Sequence, residues 1–339
     1  MITPLDMTLK KFVEDTDPVS VASLYALSGL DRADVARVTK VWPDISRDRR
    51  QVIMRHLVEI AEDNFEVDFD SIYRLGLNDE DPDVRSAAIE GLWEDDDPAL
   101  IAPLIQLLHA DVSENVRAAA ASALGRFVLA GELEEIEAAK IEPVLDALRL
   151  SFGRDDEALD VRRRALEALG FWSDAEAVNL IRQGYAHPHE RMRISAVFAM
   201  GRSADQQWGE TVLAELESAN PEMRFEAARA LGELEYLPGV RLLSQLTEDV
   251  DDEVQKAAVY ALGQIGGDAA RQRLLKVLES DDEYLYEIAE DALDELEFKS
   301  GNLDFTLLAV GESDAEDDDW ALDLLDEEDE EDDDTALDD

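Results

Sequence analysis

The strongest constraint on this chain is a sequence pattern that returns about every 31 residues. Seven segments open with an apolar residue, and the steps between them are 32, 45, 31, 31, 31 and 31 residues. The one long step places an insertion between Phe127 and Leu159. A fixed period of this length predicts a stack of equivalent units, each contacting its neighbours. The seven opening residues are Val84, Val116, Val161, Met192, Met223, Val254 and Leu285.

Small and apolar residues recur at fixed offsets downstream of each opening residue. Offset 4 is always alanine, offset 7 is alanine in all segments but the first, and offset 8 is Leu or Met. Offsets 0, 4, 7 and 8 share one face of an α-helix, so each segment predicts a helix with one buried face. Glycine follows at offset 9 in five segments, and its tolerance of left-handed backbone predicts that it ends the helix. Asp81-Pro82 and Asn220-Pro221 mark two helix starts.

A second apolar pattern precedes these segments, as in Leu242-Leu243 followed by Leu246. Each unit is therefore predicted to be a helical hairpin. Because one hairpin cannot bury its apolar face alone, the hairpins must stack on one another. We predict the repeat array over residues 68–298, preceded by a helical cap with one degenerate repeat over residues 1–67.

Arginine follows the opening residue in five of the seven segments. Offset 1 lies about 100° from the opening residue, on the flank of the buried face. We predict that these guanidinium groups pair with acidic residues of neighbouring hairpins, forming a ladder along the stack. The five residues are Arg85, Arg117, Arg162, Arg193 and Arg224.

The stretch from Asp252 to Gly266 resembles the short bacterial HEAT-like repeat, which phycobilin lyases share with many adaptor proteins. The resemblance covers roughly residues 69–298. It implies an all-α fold, a HEAT-like α-solenoid of stacked antiparallel helix pairs, with the second helix of each pair lining the concave surface. The same repeat serves several unrelated roles, so the resemblance leaves the function open.

The chain is strongly acidic, with 82 Asp and Glu residues against 31 Lys and Arg residues and a net charge of −51. Residues 311–339 hold 18 acidic residues and no basic one, so the rest of the chain carries −33. Such a surface repels nucleic acids and anionic membranes and attracts a basic protein. Solubility, or an acidic composition common to the whole organism, explains the charge equally well. Residues 299–310 are predicted to form a short apolar linker, and residues 311–339 a disordered acidic tail.

The sequence offers few groups for catalysis or metal binding. It has no cysteine, and His189-Glu190 is the one His-Glu pair, whereas deoxyhypusine hydroxylases use several such pairs to hold iron. We therefore predict no catalytic residue, no metal and no cofactor, and we interpret His189 as a residue that begins a helix. No leader and no membrane-spanning run is found, so a cytoplasmic location is expected.

Offsets 2 and 6 point about 200° and 240° from the opening residue, away from the buried face. The outer repeats carry small or charged residues there, but three consecutive middle repeats carry large ones. Exposed apolar residues with arginine are typical of a binding surface, and packing against a neighbouring hairpin is the alternative explanation. The predicted partner surface on the solenoid consists of Ile194, Phe198, Phe225, Arg229 and Tyr260.

The tail supplies a second predicted element of partner binding. Trp320 and Leu324 are four residues apart there and suit helix-in-groove binding.

Together these observations favour a non-enzymatic scaffold or adaptor that binds a protein partner through the solenoid surface. Two other functions stay open. The resemblance to phycobilin lyases implies a role in handling a tetrapyrrole, and the net charge suits an acidic chaperone for a basic protein.

Overall fold

The computed structural model describes residues 3–14, 17–280 and 282–299. Over these ranges the chain folds into α-helices and short 3-10 turns, with no β-strand. Residues 1–296 form one compact unit and residues 297–339 a second. The predicted linker beyond residue 299, the acidic tail, Trp320 and Leu324 lie outside the described residues. Among the described helices, none is both long enough and apolar enough to span a bilayer.

The described residues confirm the predicted all-α solenoid. Four helices come first: α1 Pro4–Glu14, α2 Val21–Leu24, α3 Arg32–Val41 and α4 Arg47–Asp63. Seven hairpins follow within the described ranges. Their first helices are α5 Asp70–Gly76, α7 Ile101–Ala110, α9 Ala138–Gly153, α11 Ala175–Tyr185, α13 Gly209–Glu215, α15 Val240–Leu246 and α17 Asp268–Val277. Their second helices are α6 Pro82–Gly91, α8 Glu114–Glu132, α10 Leu159–Leu169, α12 Glu190–Arg202, α14 Pro221–Glu233, α16 Asp252–Ile265 and α18 Glu283–Lys299.

The repeated columns form the core of the stack. The opening residue, the alanine at offset 4 and the Leu or Met at offset 8 are buried in all seven second helices. Asp81 and Asn220 cap α6 and α14 as predicted, since their side chains accept backbone N–H groups of the first turn. The insertion lengthens two helices, because α8 has 19 residues and α9 has 16.

The offset-9 glycines have a different role from the one predicted. No glycine of this column has a positive φ, and the prediction that the glycine ends the helix is wrong at Gly125, Gly201, Gly232 and Gly263, which lie inside their helices. Only Gly170 directly follows the end of its helix, which is α10. Each instead lies against the offset-7 alanine of the next second helix. A Cβ atom added at Gly170 would lie 2.7 Å from Ala199 Cα, and one at Gly201 would lie 2.8 Å from Ala230 Cα. Glycine is needed here for close approach of two backbones.

The arginine ladder is confirmed at three of its five positions. Three pairs join neighbouring hairpins, each with an N–O distance of 2.7 Å: Arg85 with Asp111, Arg117 with Glu157, and Arg224 with Asp249. The same three arginines also donate to a carbonyl oxygen six residues earlier, in the turn of their own hairpin.

At Arg162 and Arg193 the predicted pairing with a neighbouring hairpin is wrong. These two side chains donate to the carbonyl oxygens of Phe152 and His187, which belong to their own hairpins. In the next hairpins, the positions equivalent to Asp111 and Asp249 are His187 and Ser218, so neither arginine meets a carboxylate there.

Helix α4 continues the row of second helices, because it packs against α6, whereas α3 packs against the first helix α5. A buried ion pair joins α4 to the first repeat: Arg50 Nε lies 2.9 Å from Asp79 Oδ2. Trp42 also donates its indole N–H to Asp79, at 2.7 Å. Buried charges are stable only when paired and hydrogen-bonded, so this pair fixes the N-terminal helices on the first repeat.

Candidate functional site

The middle second helices bring an aromatic ring and two guanidinium groups together. Phe198, on α12, lies with its ring centroid 5.1 Å from the guanidinium carbon of Arg202 and 5.5 Å from that of Arg229. Arg202 also lies 5.6 Å from the ring centroid of Phe171, on the preceding repeat. Guanidinium groups over aromatic faces attract the ring electrons, so these contacts hold the Phe198 ring in place.

Two carboxylates fix the same guanidinium groups. Glu233 Oε1 lies 3.1 Å from Arg229 Nη2 and 3.2 Å from Arg202 Nη1. Glu226 Oε1 lies 3.7 Å from Arg229 Nη1. We name these five residues the Phe198 cluster: Phe198, Arg202, Glu226, Arg229 and Glu233. The cluster pairs two arginines with two glutamates, so it presents an ordered aromatic and polar surface.

The structure places the predicted partner residues unequally. Tyr260 is 48% exposed, whereas Phe198, Phe225 and Arg229 are half-buried. Ile194 is only 5% exposed, so the prediction that it faces solvent is wrong.

The reason for the error at Ile194 is the lateral packing of the second helices. Arg163 occupies the same offset one repeat earlier, and it is also buried. Its Nε donates to Ser195 Oγ of the next second helix, at 2.9 Å. The position two residues after the opening residue therefore faces a neighbouring second helix.

Sequence reasoning missed Arg202, Glu226 and Glu233. Arg202 and Glu233 lie at offset 10 and Glu226 at offset 3, about 280° and 300° from the opening residue, on the flank of the core. The sequence does contain a signal that could have indicated Arg202 and Glu233, because offset 10 holds a charged, amide or aromatic residue in every segment. The column reads Glu94, Arg126, Phe171, Arg202, Glu233, Gln264 and Glu295.

Glu226 is the most perturbed acid of the cluster. Burial raises the pKa of Glu226 to about 7, with Arg229 opposing the shift and the Glu233 and Glu167 carboxylates adding to it. A buried carboxylate loses its hydration, and one guanidinium at 3.7 Å only partly replaces it. Glu226 thus exchanges a proton near neutral pH.

Replacing Glu226 with Gln is expected to stabilise the protein above neutral pH. The folded-state pKa is raised, so the stability that protonated Glu226 contributes is complete below its unfolded pKa and is lost as the pH rises through about 7. Urea unfolding should show E226Q more stable than wild type by about 2 kcal/mol near pH 8.5, and about equal to it near pH 4.5. The control is Glu217→Gln, an exposed acid in the turn before α14, which should show no such pH-dependent difference. An equal effect of both substitutions at both pH values would contradict the expectation.

Ser195 and His189, which lie on or beside α12, have structural roles. Ser195 Oγ donates to Glu167 Oε1 at 2.6 Å, but Ser195 is buried, so its hydroxyl is closed to a substrate. His189 caps α12 by accepting the N–H of Arg191 at 3.3 Å, which confirms its interpretation as a residue that begins a helix. In the described part of the chain, no three His, Asp or Glu side chains lie close enough to share a metal ion.

Comparison with known proteins supports the repeat assignment. The family model for HEAT repeats matches residues 74–151 and 209–294. No curated protein sequence matches this chain.

Three solved structures illustrate what this chain is similar to. Yeast importin-β (Kap95p) is 14% identical with a TM-score of 0.50, over 86% of this chain and 46% of that protein. The CpcE–CpcF complex of phycocyanin lyase from Nostoc sp. PCC7120 is 20% identical with a TM-score of 0.43, over 59% of this chain and 78% of the other. Human deoxyhypusine hydroxylase is 20% identical with a TM-score of 0.34, over 77% of this chain and 95% of the other.

The matched family model, the buried columns and the stacked hairpins agree with one another. The chain therefore contains HEAT repeats over residues 74–151 and 209–294, within an array of stacked helical hairpins.

Proposed function

We propose that this protein is a non-enzymatic scaffold that binds a protein partner on the second-helix face of its middle repeats. The observation that carries the proposal is the Phe198 ring, which contacts the guanidinium groups of Arg202 and Arg229, together with Tyr260, which is exposed two second helices further along. Aromatic residues and arginine dominate the binding energy of protein interfaces. Because the ring is already ordered, little side-chain entropy is lost when a partner docks on it.

The chemistry of the partner follows from charge. Outside residues 311–339 the chain carries −33, so a partner with a basic surface is attracted over long range. Within the Phe198 cluster the arginines are already paired with glutamates, so the rings and not the net charge would hold the bound partner. Trp320 and Leu324 stay a second predicted element of the same function.

We expect the double variant Phe198→Ala, Tyr260→Ala to lose its partner while staying folded. Removing central aromatic anchors weakens binding by about 2 kcal/mol or more, which is about thirtyfold in Kd. The matched control is Tyr286→Ala on α18, since Tyr286 is 41% exposed and lies outside the middle repeats. Proteins captured from lysate by wild type and the control, but not by the double variant, are purified, and their Kd is measured by calorimetry. Thermal unfolding of all three chains checks that folding is intact.

The same experiment separates the alternatives. Binding by anchored rings should weaken but survive when NaCl is raised from about 50 mM to about 500 mM. Complete loss in high salt would instead favour an acidic chaperone for basic proteins. A tetrapyrrole role predicts an absorbance shift of added pigment and no captured protein. Equal capture by wild type and the double variant would contradict the proposed surface.

A further inference from the structure

A separate cavity of about 540 Å³ lies between the second helices of the first three hairpins. Its lining includes Trp93, which follows α6, Ala119 and Ser122 on α8, and Arg164 on α10. The volume falls in the range of small-molecule sites, which is roughly 300–1,000 Å³. The Phe198 cluster takes no part in this lining, so the cavity is independent of the proposed partner surface.

The lining is mostly apolar on two sides. Residues 118–123 of α8 supply three alanines and one serine, whose short side chains leave the space open. Trp93 forms another side, and its indole is 58% exposed although it is the largest apolar side chain in the lining. An exposed indole beside an apolar recess offers a flat surface for stacking.

Arg126 supplies the charged group of this cavity. Its Nε and Nη2 atoms are buried and have no hydrogen-bond partner among the described residues. Burial lowers the pKa of the Arg126 guanidinium, with Asp95 and Asp96 opposing the shift at longer range. Arginine stays charged even so; its guanidinium carbon lies 4.7 Å from the Phe127 ring centroid, but no carboxylate among the described residues pairs with it. An anion in the cavity would balance this charge, and a partly desolvated guanidinium attracts an anion more strongly than a fully hydrated one.

The remaining charges limit what the anion can be. Glu90 also lines the cavity, and Arg164 is already paired with Glu167 at 2.7 Å. The acidic body of the protein opposes the entry of polyanions such as nucleotides. A single negative charge on an apolar body meets the cation with the least repulsion.

We propose that this cavity binds a small organic carboxylate, with its apolar body against the Trp93 indole and its carboxylate paired with Arg126. Pairing a carboxylate with a guanidinium group is a charge-assisted contact, and it is the contact that Arg126 lacks within the described chain. The apolar body accounts for the exposed indole and for the alanines that face it.

The test uses the full-length protein and two matched probes, 2-naphthylacetate and its neutral amide. We expect calorimetry to show that wild type binds the acetate at least about tenfold more tightly than the amide. Arg126→Met should reduce that preference to about twofold or less, and Trp93→Ala should weaken both probes about equally. The control is Arg154→Met, since Arg154 is exposed, lies outside the cavity and pairs with Asp156.

Two further measurements keep the result decisive. Ser122→Leu fills the cavity from an exposed position and should abolish binding of both probes while Arg126 is retained. The thermal midpoint of Arg126→Met should not fall below that of wild type, since the substitution removes a partly buried cation that has no carboxylate partner and keeps a long side chain beside the Phe127 ring. Equal affinity of wild type for acetate and amide, no binding of either probe, or a lowered midpoint with unchanged acetate preference would each overturn the proposal.

Discussion

Replacing Arg50 with Met is expected to destabilise the protein by about 3–5 kcal/mol, since it leaves a buried carboxylate without its cation. Arg50 is 3% exposed and donates from Nη1 to the Ile45 carbonyl oxygen at 2.8 Å. Its Nη2 donates to Asp79 Oδ1 at 3.2 Å. The Asp79 side chain is as deeply buried as that of Arg50. In the Arg50→Met variant, its remaining hydrogen-bond donors would be the Trp42 indole N–H and one backbone N–H.

Urea unfolding followed by circular dichroism measures this effect. The control is Arg55→Met, an exposed arginine on the same helix, for which a change within about 0.5 kcal/mol is expected. Adding Asp79→Asn to Arg50→Met should recover about 1–2 kcal/mol, because an amide tolerates burial better than an unpaired carboxylate. A loss below about 1 kcal/mol for Arg50→Met would show that the pair contributes little to stability.

Adding one methyl group at Gly170 is expected to destabilise the stack by about 3 kcal/mol, at the upper end of overpacking effects. The new Cβ would lie 2.7 Å from Ala199 Cα and 3.0 Å from Ala199 O, so backbone atoms of α12 would have to move. A flexible side chain could turn aside, but two close-packed helices must separate.

The matched substitution is Gly153→Ala, because a Cβ at Gly153 meets no atom within 4 Å. That variant should be about 0.4–1 kcal/mol more stable than wild type, since alanine restricts the unfolded chain. Differential scanning calorimetry on both variants compares the two effects directly. Similar unfolding midpoints for Gly170→Ala and Gly153→Ala would show that the glycine column does not set the helix spacing.

The fold was predictable because seven segments repeat the same pattern of apolar and small residues at the same helical positions. Offsets 0, 4 and 8 each carry one kind of residue, and the structure buries every one of them. The sequence shows where glycine recurs, at offset 9, but it does not show why glycine is needed there. Glycine allows both a left-handed turn and a close contact, and only the neighbouring helix shows which applies at Gly170.

The candidate site was less accessible to sequence reasoning. A helical angle describes a residue relative to its own helix, whereas Ile194 is buried through the lateral packing of second helices. Arg202 and Glu233 belong to different repeats and meet only because α12 and α14 pack side by side. The cavity beside Trp93 combines three second helices, and no single repeat contains its chemistry.

The glycine–alanine contacts also have a mechanical consequence. They place the backbones of successive second helices against one another, while the first helices contact each other more sparsely. The second helices are already in backbone contact, so they cannot be pushed closer together. Pulling them apart costs dispersion energy at once, because these contacts are short-range. The second helices therefore form the stiff side of the stack. Bending under load must then be taken up by the first helices and their turns. A partner seated around Phe198 would rest on the side that deforms least, and the spacing between its contact points would be preserved when the molecule is pulled.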